Sequence, residues 1–246
     1  MIGLEGQLRL DRFLSDAGQL ARSEAKKAIR QGRVRVNDIS EKSPERKVSE
    51  KDVVSLDGRV LKMAPDFVYY LLNKPAGYLS ATQDKSQQTV LDLVPHDKRR
   101  DLFPVGRLDK DTEGLLLITD DGGLAHRLLS PANHVDKTYY ALVRGAMTRE
   151  DVKAFQEGLD IGDEKPTLPA ELKILSVKRE GQAGEDTLSR VEITVREGRF
   201  HQVKRMVMAV GKEVIYLKRL SMGPLMLPDD LAEGEFRQLL REEILF

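Results

Sequence analysis

Apolar residues recur at Leu10, Phe13, Leu14 and Ala17. That spacing places them on one face of a short helix that Gly18 can end. A second helix is expected from Arg22-Ser23 to Gly32, with Ala25, Ala28 and Ile29 on its buried side. The period then changes. Arg33-Val34-Arg35-Val36 alternates as a strand with its valines inward, and Asn37-Asp38 supplies the turn. The segment VVSLDGRVL is a hairpin signal centred on Asp57-Gly58. The polar stretch KMAPD that follows is where a domain boundary is expected. From Phe67 onward, strand-like runs fall at Val68–Leu72, Leu115–Thr119, Tyr139–Val143, Leu172–Val177, Val191–Val195 and Val214–Leu217. Helical candidates lie at Arg149–Gly158 and Phe200–Val210. Together these imply an α+β domain with a large mixed sheet. No fixed-period repeat or low-complexity tract interrupts the pattern.

Composition narrows the classes. Hydrophobic residues make up 40% and charged residues 33% of the 246, which suits a globular protein. No apolar run approaches the roughly 18 residues that span a bilayer. The start, MIGLEGQLRLDRF, lacks the basic and apolar regions of a secretory signal, so no membrane partner is expected. There are no cysteines, which excludes disulfides, zinc ribbons and thiol nucleophiles and fits a cytoplasmic protein. The four histidines (His96, His126, His134 and His201) lack metal-ligand spacing, and no metal site is expected. Net charge is formally zero, but residues 8 to 47 hold eleven Lys/Arg against six Asp/Glu, a local excess of five. Arg22, Lys26 and Arg30 stand four apart and line one helix face. Charge runs are most often solvated helix faces; the alternative is that Arg22, Lys26 and Arg30, with Lys27, Arg33 and Arg35, form an electrostatic platform for folded RNA.

The most informative stretch is GRLDKDTEGLLLITDDG, Gly106 to Gly122, a polar turn running into an apolar strand. Asp109, Asp111, Glu113 and Asp120 crowd the ends of that strand, where catalytic groups are often placed. Asp109, Asp111, Glu113, Gly114 and Asp120 also fall at positions of a calcium-loop template. That match fails in three ways: the last ligand is Asp rather than Glu, Pro104 and Gly106 break any preceding helix, and LLLIT is strand-forming rather than helical.

LRLDRFLSDAGQLARSEAKKAIRQGRVRVND resembles the S4-type RNA-binding domain. Two departures are visible: Ala21 where the family often has serine, and Asp38 where glycine usually follows the Asn. GRLD followed by DTEGLLLIT resembles the catalytic motif of the pseudouridine synthases, in the branch that modifies ribosomal RNA. LLNKPAG, KTYYALV and EGRFHQVKRM resemble that branch's other motifs, and all four occur in the expected order. HQVKRM, SPANHVDKTY and LAEGEFRQL are most similar to the small-subunit enzymes.

The resemblance implies an S4-type domain at residues 7–64 and a synthase domain at 67–246 with a large mixed, mainly antiparallel sheet flanked by helices. It implies conversion of a uridine in 16S ribosomal RNA to pseudouridine, at the uridine-516 site. The alternatives are a synthase for 23S RNA, or a non-catalytic RNA-binding assembly protein with a decayed synthase domain; the intact motifs argue against decay. By resemblance Asp109 is the essential carboxylate. It would act as a nucleophile or as a base, and the sequence does not choose. Burial alone favours the neutral form of a carboxyl, so a cationic partner is needed. Lys204 is the candidate, with Arg205 as the fallback and a further RNA contact; both lie off the apolar face Val203, Met206, Val207 and Val210. Tyr139 matches the tyrosine that packs against the target base, although periodicity alone also allows an ordinary core tyrosine. Arg107 matches the arginine that fills the gap left by a flipped base. Asn73 and Lys74 read as structural or RNA-contacting. Asp111, Glu113 and Asp120 read as outside direct chemistry. Isomerisation needs no redox change or phosphate donor, so no cofactor is required. The implied partner is ribosomal RNA, and nothing demands more than a monomer.

Overall fold

The computed structural model describes residues 8–18, 20–49, 51–61, 67–95, 101–180 and 186–244. KMAPD and His96 lie outside the described residues. The chain divides into two compact units, Met1–Asp66 and Phe67–Phe246.

In the first unit, β1 (Leu8–Arg9) leads into α1 (Leu10–Gly18) and α2 (Arg22–Arg30). Strands β2 (Val34–Val36), β3 (Ile39–Ser40), β4 (Lys47–Val48), β5 (Val54–Leu56) and β6 (Arg59–Leu61) follow. Order β3-β2-β5-β6 makes one antiparallel sheet, and β1 pairs with β4. Leu10, Phe13, Leu14, Ala25, Ala28, Ile29, Val34 and Val36 form the core, so the spacing of apolar positions sets the packing. Both departures from the S4-type pattern are accommodated locally. Ala21 has no capping side chain, but Glu24 Oε2 accepts from the Ala21 N–H at 3.1 Å, the return half of a capping box. Asn37 and Asp38 both take positive φ, and Asn37 ties the turn down by donating to Asp52 and accepting from the Val53 N–H, each at 2.8 Å.

Among the described residues, the second unit is built on a nine-stranded sheet. Its elements are β7 (Tyr69–Lys74), β8 (Phe103–Pro104), β9 (Glu113–Thr119), α3 (Gly122–Leu129), β10 (Lys137–Arg144), α4 (Arg149–Glu157), β11 (Glu171–Glu180), β12 (Asp186–Val195), α5 (Gln202–Ala209), β13 (Glu213–Met222), β14 (Leu225–Met226) and β15 (Phe236–Gln238). The order is β11-β12-β10-β13-β9-β7-β15, with β14 on β13 and β8 on β9. Among the described strands only β9 and β13 pair in parallel, so the sheet is mixed and mainly antiparallel. Strand β9 is apolar on both faces because both are covered. Leu115 and Leu117 join Leu124 and Leu128 of α3, whereas Leu116 and Ile118 join Val90, Leu91 and Leu108. Gly114 is fixed by sterics: its φ is +99°, and a Cβ there would lie 2.3 Å from the Arg219 carbonyl oxygen.

Two helices differ from expectation. Asp121, in the Asp-Asp-Gly stretch after β9, caps a helix that was not among the helical candidates: it accepts from the Leu124 N–H at 2.9 Å, and α3 runs through GGLAHRLL. Helix α5 begins at Gln202 rather than Phe200, because His201 is left-handed at φ 49° and ψ 33°.

Candidate active site

The turn that carries Asp109 is held by the segment from Lys74 to Ser80, which begins within LLNKPAG. Lys74, at the end of β7, is fully buried. Its ammonium donates to the carbonyls of Pro75 (3.0 Å), Lys110 (3.2 Å) and Thr112 (2.8 Å), matching three donors to three acceptors. Gly77 N–H donates to Lys110 O at 2.7 Å. The Ser80 hydroxyl donates to Leu108 O at 2.9 Å and accepts from Leu108 N–H at 3.0 Å. Leu108 is buried, so the residue before Asp109 is fixed by packing and by both of its backbone groups. Lys74 is therefore a positioning residue.

Helix α5 brings the cationic partner. Val203, Met206 and Val207 bury one side against Ala141, Val191, Ile193 and Leu217. Lys204 lies off that side, with Nζ 3.2 Å from Asp109 Oδ2 and donating to Asp111 Oδ1 at 2.6 Å. Partial burial works against the Lys204 charge, but hydrogen bonds to Asp111 and Asp109 outweigh it and hold its pKa above the ordinary value. The bond from Lys204 likewise holds Asp111 below the usual carboxylate value. Asp111, expected to stand aside, thus shares the ammonium. His201, which lies within EGRFHQVKRM and was given no role of its own, has its Nε2 3.4 Å from Asp109 Oδ1.

Arg205 is turned elsewhere. Its guanidinium donates to the carbonyls of Ile161 and Phe200 and to the Asp163 carboxylate. It braces the turn before α5, and the fallback role beside Asp109 is filled by Lys204. Arg199 completes the brace by donating to Lys165 O and Pro166 O. Tyr139, on β10, packs against both apolar clusters, the one under α5 and the one that holds Leu108. Its register partner on β13 is Arg219, 2% exposed, whose Nε donates to Leu115 O at 2.8 Å. No polar pattern in the sequence had singled out that arginine. Arg107 is exposed and has no side-chain hydrogen bond or ion pair with the described residues.

The calcium-loop positions are not a loop. Glu113 and Gly114 open strand β9. Glu113 accepts from the Tyr216 hydroxyl at 2.6 Å; burial, and then this bond, raise the Tyr216 pKa. Asp120 lies beyond the strand and accepts from the Val68 N–H at 2.8 Å.

In the first unit Arg22, Lys26, Lys27, Arg30, Arg33 and Arg35 are all exposed. Arg33 forms a bidentate pair with Asp57, and Lys26 lies 3.9 Å from Asp11. Arg22, Lys27, Arg30 and Arg35 have no carboxylate within 4.0 Å among the described residues.

A buried lysine clamping an aspartate-bearing turn, beside a helix that delivers an ammonium to the same aspartate, sits on a fold shared with known enzymes. The pattern of the RNA pseudouridylate synthase family matches residues 68–209, and that of the S4 domain matches residues 8–54. The chain belongs to the RNA pseudouridylate synthase family, and it is an enzyme of that class with an S4 domain in front.

Among individual proteins, it is 39% identical to the ribosomal small subunit pseudouridine synthase A of Pasteurella multocida, covering 96% of this chain and 98% of that one. It is 43% identical to an uncharacterized RNA pseudouridine synthase of Bacillus subtilis, covering 96% and 97%. A crystal structure of a pseudouridylate synthase superposes with a TM-score of 0.65 at 37% identity, covering 96% and 98%.

Proposed function

We propose that this enzyme isomerises one uridine of small-subunit ribosomal RNA to pseudouridine, at the position equivalent to uridine 516, with Asp109 as its catalytic carboxylate. The relatives named small-subunit synthases, similar over nearly the full chain, support the substrate class. The observation that carries the role of Asp109 is the 3.2 Å approach of Lys204, which joins two motifs distant in sequence at one point.

The reaction breaks the N1–C1′ glycosidic bond, turns the uracil, and forms a C5–C1′ bond. The proton on C5 is lost and one is gained at N1, so atoms balance with no external donor. Asp109 attacks or takes a proton as a carboxylate. Lys204 compensates the negative charge, and Lys74 and Ser80 hold the turn so that no reorganisation is needed at reaction. The target nucleotide leaves the helix and packs against Tyr139. Arg107, exposed two residues before Asp109, occupies the space it leaves. The basic face of the S4 domain holds flanking RNA through phosphates.

The test is tritium release from 16S RNA labelled at uridine C5. Wild type releases label, Asp109→Asn does not, and mapping places the product at a single small-subunit position. Release by Asp109→Asn at the wild-type rate would end the assignment of Asp109. A product found only in large-subunit RNA would end the assignment of substrate.

A further inference from the structure

Phe200 is 74% exposed, the largest exposure among the exposed large apolar side chains of the described residues. Single exposed apolar residues are ordinary on protein surfaces. This one is distinguished by its surroundings. Its ring stacks on the His201 imidazole with centroids 3.8 Å apart and planes 18° from parallel. The other end of that stack reaches the reaction centre, since His201 Nε2 stands 3.4 Å from Asp109 Oδ1. One face of Phe200 is therefore covered by His201, and the ring as a whole stands open to solvent.

The pair is held in place. His201 keeps a left-handed backbone at φ 49°, a conformation costly for a residue with a Cβ and retained only where the surroundings enforce it. Those surroundings are visible. Arg205 donates to the Phe200 carbonyl at 3.1 Å, Gln202 Oε1 accepts from the Arg199 N–H at 3.0 Å, and Gln202 Nε2 donates to Glu197 at 3.0 Å. The turn thus presents a rigid, exposed aromatic at the lip of the site. Tyr139 serves the inside, being packed against both core clusters.

Extruding one nucleotide deprives its neighbours of a stacking partner, and aromatic rings are the usual replacement in RNA complexes. We infer that Phe200, backed by His201, is a stacking platform for a nucleobase adjoining the target uridine, and so a positioning and specificity residue for the reaction. This rests on the site being the RNA-modifying centre described above.

The chain has no tryptophan, so Phe200→Trp introduces a single reporter at the platform. Its emission should be quenched on titration with a 16S RNA transcript, and should not respond to sodium polyphosphate, which has charge but no bases. In turnover, Phe200→Ala should lower kcat/KM by about tenfold or more, mainly through KM, the scale of one lost base–aromatic stack. Phe200→Tyr should restore most of that loss. The inference is overturned if the reporter ignores RNA, if polyphosphate quenches it equally, or if Phe200→Ala turns over like wild type. Wild-type turnover on the same transcript reports separately on the proposed function, because quenching is read from binding alone.

Discussion

Lys204 donates to Asp111 at 2.6 Å while standing 3.2 Å from Asp109, so one ammonium is shared by a carboxylate that is 74% exposed at its side chain and another that is 26% exposed. The shorter bond goes to the more exposed group. Asp111 is best understood as holding Lys204 in the position from which it faces Asp109. Removing Lys204 leaves Asp109 without its compensating charge, whereas removing the Asp111 charge only loosens the lysine. Lys204→Met should therefore lower the single-turnover rate by about a hundredfold or more, and Asp111→Asn by about tenfold or less. Equal losses in the two variants would contradict this division of roles.

Lys74 links pH to stability. Burial pushes its pKa down to about 8, against the pull of Asp111, Glu113 and Asp109. The ordinary value is 10.5, so between these two the unfolded chain binds the additional proton. Stability attributable to this residue then rises with pH across that window and is flat below it, by on the order of 3 kcal/mol in all. Urea unfolding of wild type and Lys74→Met from pH 7 to 10.5 isolates the effect as a difference. A difference that stays constant across the window would show that the lysine keeps its proton throughout. At pH 7, Lys74→Met should also reduce kcat about tenfold or more with little change in KM, because the three carbonyls that fix the Asp109 turn lose their donor.

Tyr139 makes packing and chemistry separable. Its ring joins the cluster under α5 to the one around Leu108. Tyr139→Phe keeps that ring and should unfold within about 1 kcal/mol of wild type, whereas Tyr139→Ala opens a void and should cost about 3 kcal/mol. Any loss of rate in Tyr139→Phe then belongs to the hydroxyl. If Tyr139→Ala is as stable as wild type, the ring does not join the two clusters.

Much of this arrangement was legible in the sequence, for reasons that differ by residue. The apolar pattern gave the long strands and α4, because burial leaves a record in sequence: a continuous apolar run in β9, covered on both faces, and a partial alternation in strands such as β13. Asp109, Lys204 and Tyr139 were singled out through motif resemblance, and of these the fold brings Lys204 to 3.2 Å from Asp109. What was missed depended on backbone conformation. GGLAHRLL opens with two glycines, and the Asp121 cap together with burial of Leu124, Ala125 and Leu128 makes it α3. His201 was unreadable as a neighbour of Asp109 because its placement follows from a left-handed turn that no side-chain pattern announces. Lys74 was read as structural or RNA-contacting, and the three carbonyls around it decide for the first. Arg205 was read as the fallback partner of Asp109 because a charge on a helix face gives no sign of which carbonyls lie nearby.

The same distinction governs the S4 unit, where exposure alone does not make a cation available. Arg33 is held in a bidentate pair by Asp57, which also keeps the Asp57 pKa below its usual value. Arg22, Lys27 and Arg30 have no such partner among the described residues. A phosphate contact releases condensed counterions, and each contact contributes about 0.7 to 0.9 to the slope of log K against log salt. Replacing Arg22, Lys27 and Arg30 together by Gln should therefore flatten the slope for 16S RNA by about 2 to 3 units. Arg33→Gln should flatten it by under about half a unit, since Asp57 already compensates that charge. Filter binding from 50 to 300 mM potassium chloride (on the order of a sixfold range) measures both. If Arg33→Gln flattens the slope as much per residue as the triple variant does, the ion pair opens on binding. If the triple variant leaves the slope unchanged, this face of the S4 domain does not meet the phosphate backbone.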